Sequence, residues 1–392
     1  MKRGRGAGRW KLAPRIALAL WGLVGAGPCA ARTLEEALVS TFRGQLSEDA
    51  HALSRVFADA VAASFPVTGA SAPYVYRFDP ATDSFERLRI PLGPVFSERA
   101  ETIGRHKLSV SLNYALIQYD GINGHDLHAL ASNDPRSSEA HLAICTTTFC
   151  EPVAGMARLD LEAQIVTLSA IYGLTSDLDI DLSLPLVRTF LRASTAFIAP
   201  DPRAPPDPRY VSLDFGGTAS ETSTGVGDVL LRLKYAVGTS EFADVAAGLT
   251  LSLPTGERAD FHGTGDTLAG LAIYLSHTYG ERVEPHVNLG FVLDADTFDR
   301  SQVRYAAGAD VRLLDWLTLN TDFLGRSDVA QPDSIDHPAF VQIERNDVLQ
   351  FSTGLKVSPL QRTIVFFNAL LPLSDEGLHS DRVLAGGVEW VF

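Results

Sequence analysis

The sequence predicts an all-β chain, a transmembrane antiparallel up-and-down β-barrel of about twelve strands behind a small helical and hairpin N-terminal region. Three observations predict it. Apolar and polar residues alternate with a period of two from Lys107 to the C-terminus. The connections between the alternating segments are short and long in turn. The chain also ends in Val388-Glu-Trp-Val-Phe392, an apolar alternating strand with a terminal aromatic residue.

Composition narrows the field first. The 392 residues are 46% hydrophobic and 20% charged, with a net charge of −14, which is too apolar for a disordered chain. The acidity argues against nucleic acid as a partner. No internal stretch reaches the roughly 18 apolar residues of a membrane-spanning helix. The 32 glycines and 2 methionines suit a turn-rich β chain.

Residues 1–31 read as a secretory signal peptide. Six basic residues (Lys2, Arg3, Arg5, Arg9, Lys11, Arg15) precede an apolar run from Ile16 to Gly27, and small residues follow at Cys29-Ala30-Ala31. Cleavage is expected after Ala31 or Ala30. It leaves Cys145 and Cys150, which in an exported chain read as one disulfide closing a small loop. No His or acid lies at zinc-ligand spacing to them, so neither metal nor cofactor is expected.

Residues 32–104 form an N-terminal region, expected as a periplasmic extension, a plug in the lumen or a packing element that caps one end of the barrel. Thr33 and Glu36 have the spacing of a capping box. Ala50, Leu53, Val56, Phe57, Ala60 and Val61 repeat at helical spacing, and Pro66 ends the repeat. Tyr74–Phe78 and Ser84–Leu88 read as a hairpin around Asp79-Pro80.

Residues 105–392 are the barrel. Strands are expected at 107–119, 156–173, 178–192, 227–237, 242–254, 265–278, 283–295, 302–313, 316–326, 344–357, 362–373 and 380–392. Such lengths exceed the usual soluble strand and cover the 9–11 or so residues that cross a bilayer. Short turns on one end and long loops (120–155, 193–226, 255–264, 296–301, 327–343, 374–379) on the other match the periplasmic and external ends of an outer-membrane barrel. Tyr114, Tyr119, Tyr172, Tyr235, Tyr279 and Trp316 fall near strand ends, where aromatic girdles sit.

With the apolar face toward lipid, parity puts a mixed-charge set in the lumen. The set is Asp179, Asp181, Arg232, Lys234, His286, Asn288, Asp310, Arg312, Asn320, Asp322, Lys356 and Glu389. These residues form either a self-neutralised interior or a polar conduit and binding surface.

Three segments carry a resemblance: Tyr172-Gly-Leu-Thr-Ser-Asp-Leu-Asp-Ile-Asp-Leu-Ser-Leu-Pro185, Gly225-Val-Gly-Asp-Val-Leu-Leu-Arg-Leu-Lys-Tyr235 and Leu251-Ser-Leu-Pro-Thr-Gly-Glu257. They resemble the outer-membrane transporters grouped as the meta-pathway phenol-degradation family. The resemblance covers roughly 105–392 and implies passive uptake of small hydrophobic or aromatic compounds. Trp390 and Phe392 resemble the signal read by the outer-membrane assembly machinery. The expected partners are thus that machinery, outer-membrane lipid and a small hydrophobic solute.

No nucleophile elbow, HExxH or Walker loop is present. Gly263-Thr-Gly265 after His262 reads as a turn. Two other classes remain in view: an outer-membrane lipid hydrolase and a structural envelope barrel. Ser276 and His277 are adjacent on a strand and point to opposite faces, which counts against a catalytic pair there.

Overall fold

The computed structural model describes residues 32–42, 47–63, 74–79, 84–88, 90–131, 143–145, 150–152, 154–200, 210–213, 216–330, 347–360 and 362–392. The signal-peptide segment lies outside these residues. So do the side chains of Cys145 and Cys150, whose backbones are direct partners in a two-stranded ribbon.

Twelve strands build the barrel: β1 (Leu108–Ile122), β2 (Ala154–Gly173), β3 (Leu178–Pro200), β4 (Val229–Thr239), β5 (Asp244–Leu253), β6 (Leu268–Ser276), β7 (Val283–Asp294), β8 (Gln302–Leu314), β9 (Leu317–Asp328), β10 (Val348–Leu360), β11 (Thr363–Pro372) and β12 (Leu378–Val391). Each pairs antiparallel with its sequence neighbour, and β12 pairs with β1 to close the sheet. Closure removes every free edge within the belt, as a bilayer requires. The last residue takes part in the seam, since Phe392 N–H donates to Leu108 O (2.8 Å) and Leu108 N–H to Phe392 O (3.2 Å).

The third strand was expected to stop at residue 192 and a loop to fill 193–226. Instead β3 runs to Pro200, and two further strands, Tyr210–Leu213 and Thr218–Val226, pair along its far end. Alternation does continue there, but its sense reverses. On the outside, Leu108, Leu112 and Leu116 of β1 give way to Gln118 and Asp120. Likewise Leu182, Leu184 and Leu186 of β3 give way to Arg188 and Arg192. On the inside, Ser109, Ser111 and Asn113 give way to the buried Ala115, Ile117 and Tyr119. The lower half is therefore apolar outside and polar inside, the arrangement for lipid. The upper ends of β1–β3 are apolar inside, like a soluble sheet.

That apolar upper interior is filled by the N-terminal helices α1 (Leu34–Thr41) and α2 (Ser47–Ala63). Thr33 and Glu36 form the expected capping box, each side chain accepting from the other residue's backbone N–H. Leu34, Leu38, Phe42, Leu53, Phe57 and Val61 pack with Ile117, Leu159, Leu161, Val187, Leu191 and Phe197 in one core. Phe57 meets Phe261 of the β5–β6 loop edge to face, centroids 5.8 Å apart. The hairpin strands are Tyr76–Asp79 and Ser84–Arg87.

Tyr119 does not belong to a girdle. Its odd position on β1 turns it inward, where it is buried and its hydroxyl donates to Ala60 O (3.3 Å). Tyr172, Tyr235, Tyr279 and Trp316 stand on the outside, exposed.

Candidate functional site: a bonded strap and a lumen compartment

Residues 91–103 have no regular structure and cross the lumen near the short turns. Inward side chains from six strands hold this strap along its length, and most of the polar residues expected in the lumen are the ones that do so.

Lys356 donates to Leu92 O (3.2 Å) and Pro94 O (2.8 Å), and Asn320 donates to Gly93 O (2.9 Å). Asn288 clamps Glu98 at both ends of its amide: Oδ1 accepts from Glu98 N–H and Nδ2 donates to Glu98 O, each at 2.7 Å. Asp179 accepts from Ile103 N–H (2.9 Å). Arg232 pairs with Asp181 and, at 3.2 Å, with Glu98; Lys234 reaches the other Glu98 oxygen at 3.3 Å and Arg99 O at 3.4 Å. Asp310 accepts from Asn320, and Glu389 accepts from Ser109 (3.3 Å).

All of these are buried except Asn288, which is partly exposed within the lumen. Arg312 is different. It stands near the short-turn rim and pairs with Glu281 (3.4 Å) and Asp315 (3.7 Å).

The expected alternatives were self-neutralisation among wall residues or an open conduit. Some bonds do run within the wall, as between Arg232 and Asp181, Asn320 and Asp310, and Ser109 and Glu389, and many others run from wall to strap. A strap without secondary structure must place its backbone donors and acceptors somewhere, and the wall supplies them. Glu98 and Arg99, which complete the network, lie in a stretch without periodicity and gave no sequence signal. Arg99 pairs with the equally buried Glu284 at 3.0 Å.

Ser97, His286 and Asp322 meet at 2.6–2.8 Å, which invites comparison with a hydrolase triad. The sharing of one carboxylate oxygen argues against it. The same Asp322 oxygen lies 2.6 Å from both Ser97 Oγ and His286 Nε2. A carboxylate only accepts, so both neighbours donate to it. His286 Nε2 then carries the proton and cannot take one from Ser97.

Above the strap and below the end of α2 lies a cavity of about 310 Å³. Phe96, Val292, Ala306, Leu324 and Leu370 line it, with Asn288, Gln350, Arg304 and Arg326 as polar groups.

The Gly263–Gly265 turn also has a structural task. It wraps the carboxylate of Asp228, which accepts from Gly256 N–H (2.9 Å), Thr264 N–H (2.8 Å) and the Thr264 hydroxyl (3.1 Å). The loop after β5 is thereby pinned to the start of β4.

No protein-family profile matches the chain, and no curated protein matches it. Among solved structures, the chain is similar to an outer membrane channel from Pseudomonas putida F1 (15% identity, 75% of this chain and 98% of that one, TM-score 0.47). It is also similar to the Ralstonia pickettii toluene transporter TbuX (11%, 74% and 88%, 0.33). A third is the translocator domain of the Neisseria meningitidis autotransporter NalP (10%, 74% and 89%, 0.32). The likeness is one of general barrel architecture and spans proteins of different function, so the functional reading rests on the chain's own residues.

Proposed function

We propose that the protein is an outer-membrane barrel for passive uptake of small hydrophobic or aromatic compounds, not an enzyme. The observation that carries this reading is the partly open compartment of about 310 Å³ between strap and helices. Its walls are mostly apolar with a few polar groups, the usual make-up of a small-molecule site and at the small end of the usual range. The resemblance noted in the β2–β3, β4 and β5 segments points the same way. The outer apolar belt, with Leu271 66%, Leu289 56% and Phe367 59% exposed, is far more apolar surface than a soluble protein leaves to water. We assign it to outer-membrane lipid, with export by the signal peptide and with Trp390 and Phe392 addressing the assembly machinery.

The test is uptake into proteoliposomes carrying the full mature chain. Toluene or phenol at low concentration should enter faster than into empty liposomes, and disaccharides should not. Equal entry of toluene with and without protein contradicts the reading. Release of fatty acid from phospholipid in the same preparation would favour the hydrolase.

A further inference from the structure

We propose that Arg304 and Arg326 form a carboxylate-binding subsite in the lumen compartment, so that the solutes include small monocarboxylates with an aromatic or branched apolar body. The proposal rests on the uptake reading above and names the substrate class of that site.

The two arginines are direct register partners on β8 and β9, both on the inward face, so their side chains are neighbours. Both line the cavity. Other inward cations are engaged: Arg232 and Lys234 by Glu98, Arg99 by Glu284, and Lys356 by strap carbonyls. Arg304 and Arg326 form no ion pair among the described residues. Arg304 donates once, to Gln302 Oε1 at 3.3 Å, and the Nε of each arginine lacks a partner. The acid nearest in sequence, Asp328, accepts from Gln302 at 3.0 Å and attracts both arginines without forming an ion pair with either.

Two adjacent, half-buried guanidinium groups repel each other, and an anion placed between them relieves that repulsion. A carboxylate offers two acceptor oxygens to donors with a fixed fork, the best match of charge and shape available. Val292, Ala306, Leu324 and Leu370 give the compartment an apolar lining, with Asn288 and Gln350 as neutral amides. An acid with an apolar body therefore fits.

The experiment is calorimetric titration of the purified full chain in detergent with benzoate, and with benzyl alcohol as the neutral counterpart. Arg304→Gln and Arg326→Gln are compared with the unaltered protein. Saturable benzoate binding is expected, weakened about tenfold or more in either variant, with benzyl alcohol unaffected. Absent benzoate binding, or equal binding in the variants, overturns the subsite. If the variants fail to assemble, 4-bromobenzoate soaked into crystals of the unaltered protein decides the matter. A bromine peak inside the compartment with the carboxylate on the arginine pair supports the subsite, and an empty compartment or a peak elsewhere overturns it. Toluene uptake without benzoate binding removes the subsite alone. Benzoate bound at the arginines without toluene uptake removes the neutral-solute reading alone.

Discussion

Replacing Glu98 by glutamine should loosen the strap. Glu98 is the strap's carboxylate toward both Arg232 (3.2 Å) and Lys234 (3.3 Å), and its side chain is 11% exposed. Removing one partner of a buried pair costs about 3–5 kcal/mol, because the other charge stays buried. Arg232 keeps Asp181, so the lower end applies to it. Lys234 is left with Arg99 O at 3.4 Å. A loss of about 3 kcal/mol raises the population of the undocked strap by roughly two orders of magnitude. Single-channel recording in planar bilayers reads this directly, as more frequent or larger openings than in the unaltered protein. Asn288→Ala, which removes the two 2.7 Å bonds to the Glu98 backbone, should act in the same direction without altering charge. Identical conductance and melting in both variants would refute the idea that these bonds hold the strap.

Three other outcomes follow from the geometry. An arginine in place of Leu233, which is outward and 36% exposed, should cost about 2–4 kcal/mol near the bilayer midplane and reduce the heat-modifiable folded form on gels. His262 is buried in the β5–β6 loop, and burial holds its imidazole below the ordinary value of about 6.5, against the opposing pull of Asp260 and Glu257. The folded loop therefore resists protonation. Its stability is greatest above about pH 6.5 and falls as the pH drops from there toward the lowered folded value. Hydrogen exchange across 254–267, corrected for intrinsic rates, should show this, and His262→Gln should flatten it. Cys145 and Cys150 lie opposite each other in their ribbon, a placement within disulfide reach. Non-reducing peptide mass spectrometry should find them joined, and two free thiols would contradict the pairing.

Much of the barrel was legible because lipid imposes a rule on every strand that crosses it. Leu231, Leu233 and Tyr235 must face out, so Arg232 and Lys234 face in, and the same logic fixes His286, Asn288, Asn320 and Asp322. The rule lapses where lipid ends. Arg188 and Arg192 face water above the belt, so β3 read as finished at residue 192 although it runs to Pro200. Tyr119 lies near a strand end, yet its odd parity turns it inward. Arg304 and Arg326 share the parity of Asp310 and Asp322 and could have been found by applying the rule to the whole of β8 and β9. The strap is another matter. Its bonds use backbone amides and carbonyls, so nothing in the pattern of residues 91–103 announces that the wall's polar side chains are reserved for it.

The central claim is that the chain's own N-terminal region occupies the lumen and is bonded to the inward polar wall. Ser97 and Asp322 touch at 2.6 Å, one on the strap and one on β9. With Cys145 and Cys150 changed to serine, a protein carrying Ser97→Cys and Asp322→Cys, assembled in outer membranes, should be bridged within the chain by a short homobifunctional thiol reagent. Ser97→Cys paired with a cysteine at the outward Phe323 should not be. Bridging of the first pair alone is the predicted result. Failure of the first pair, with both thiols reacting separately with a water-soluble maleimide, would place the strap outside the barrel and contradict the account.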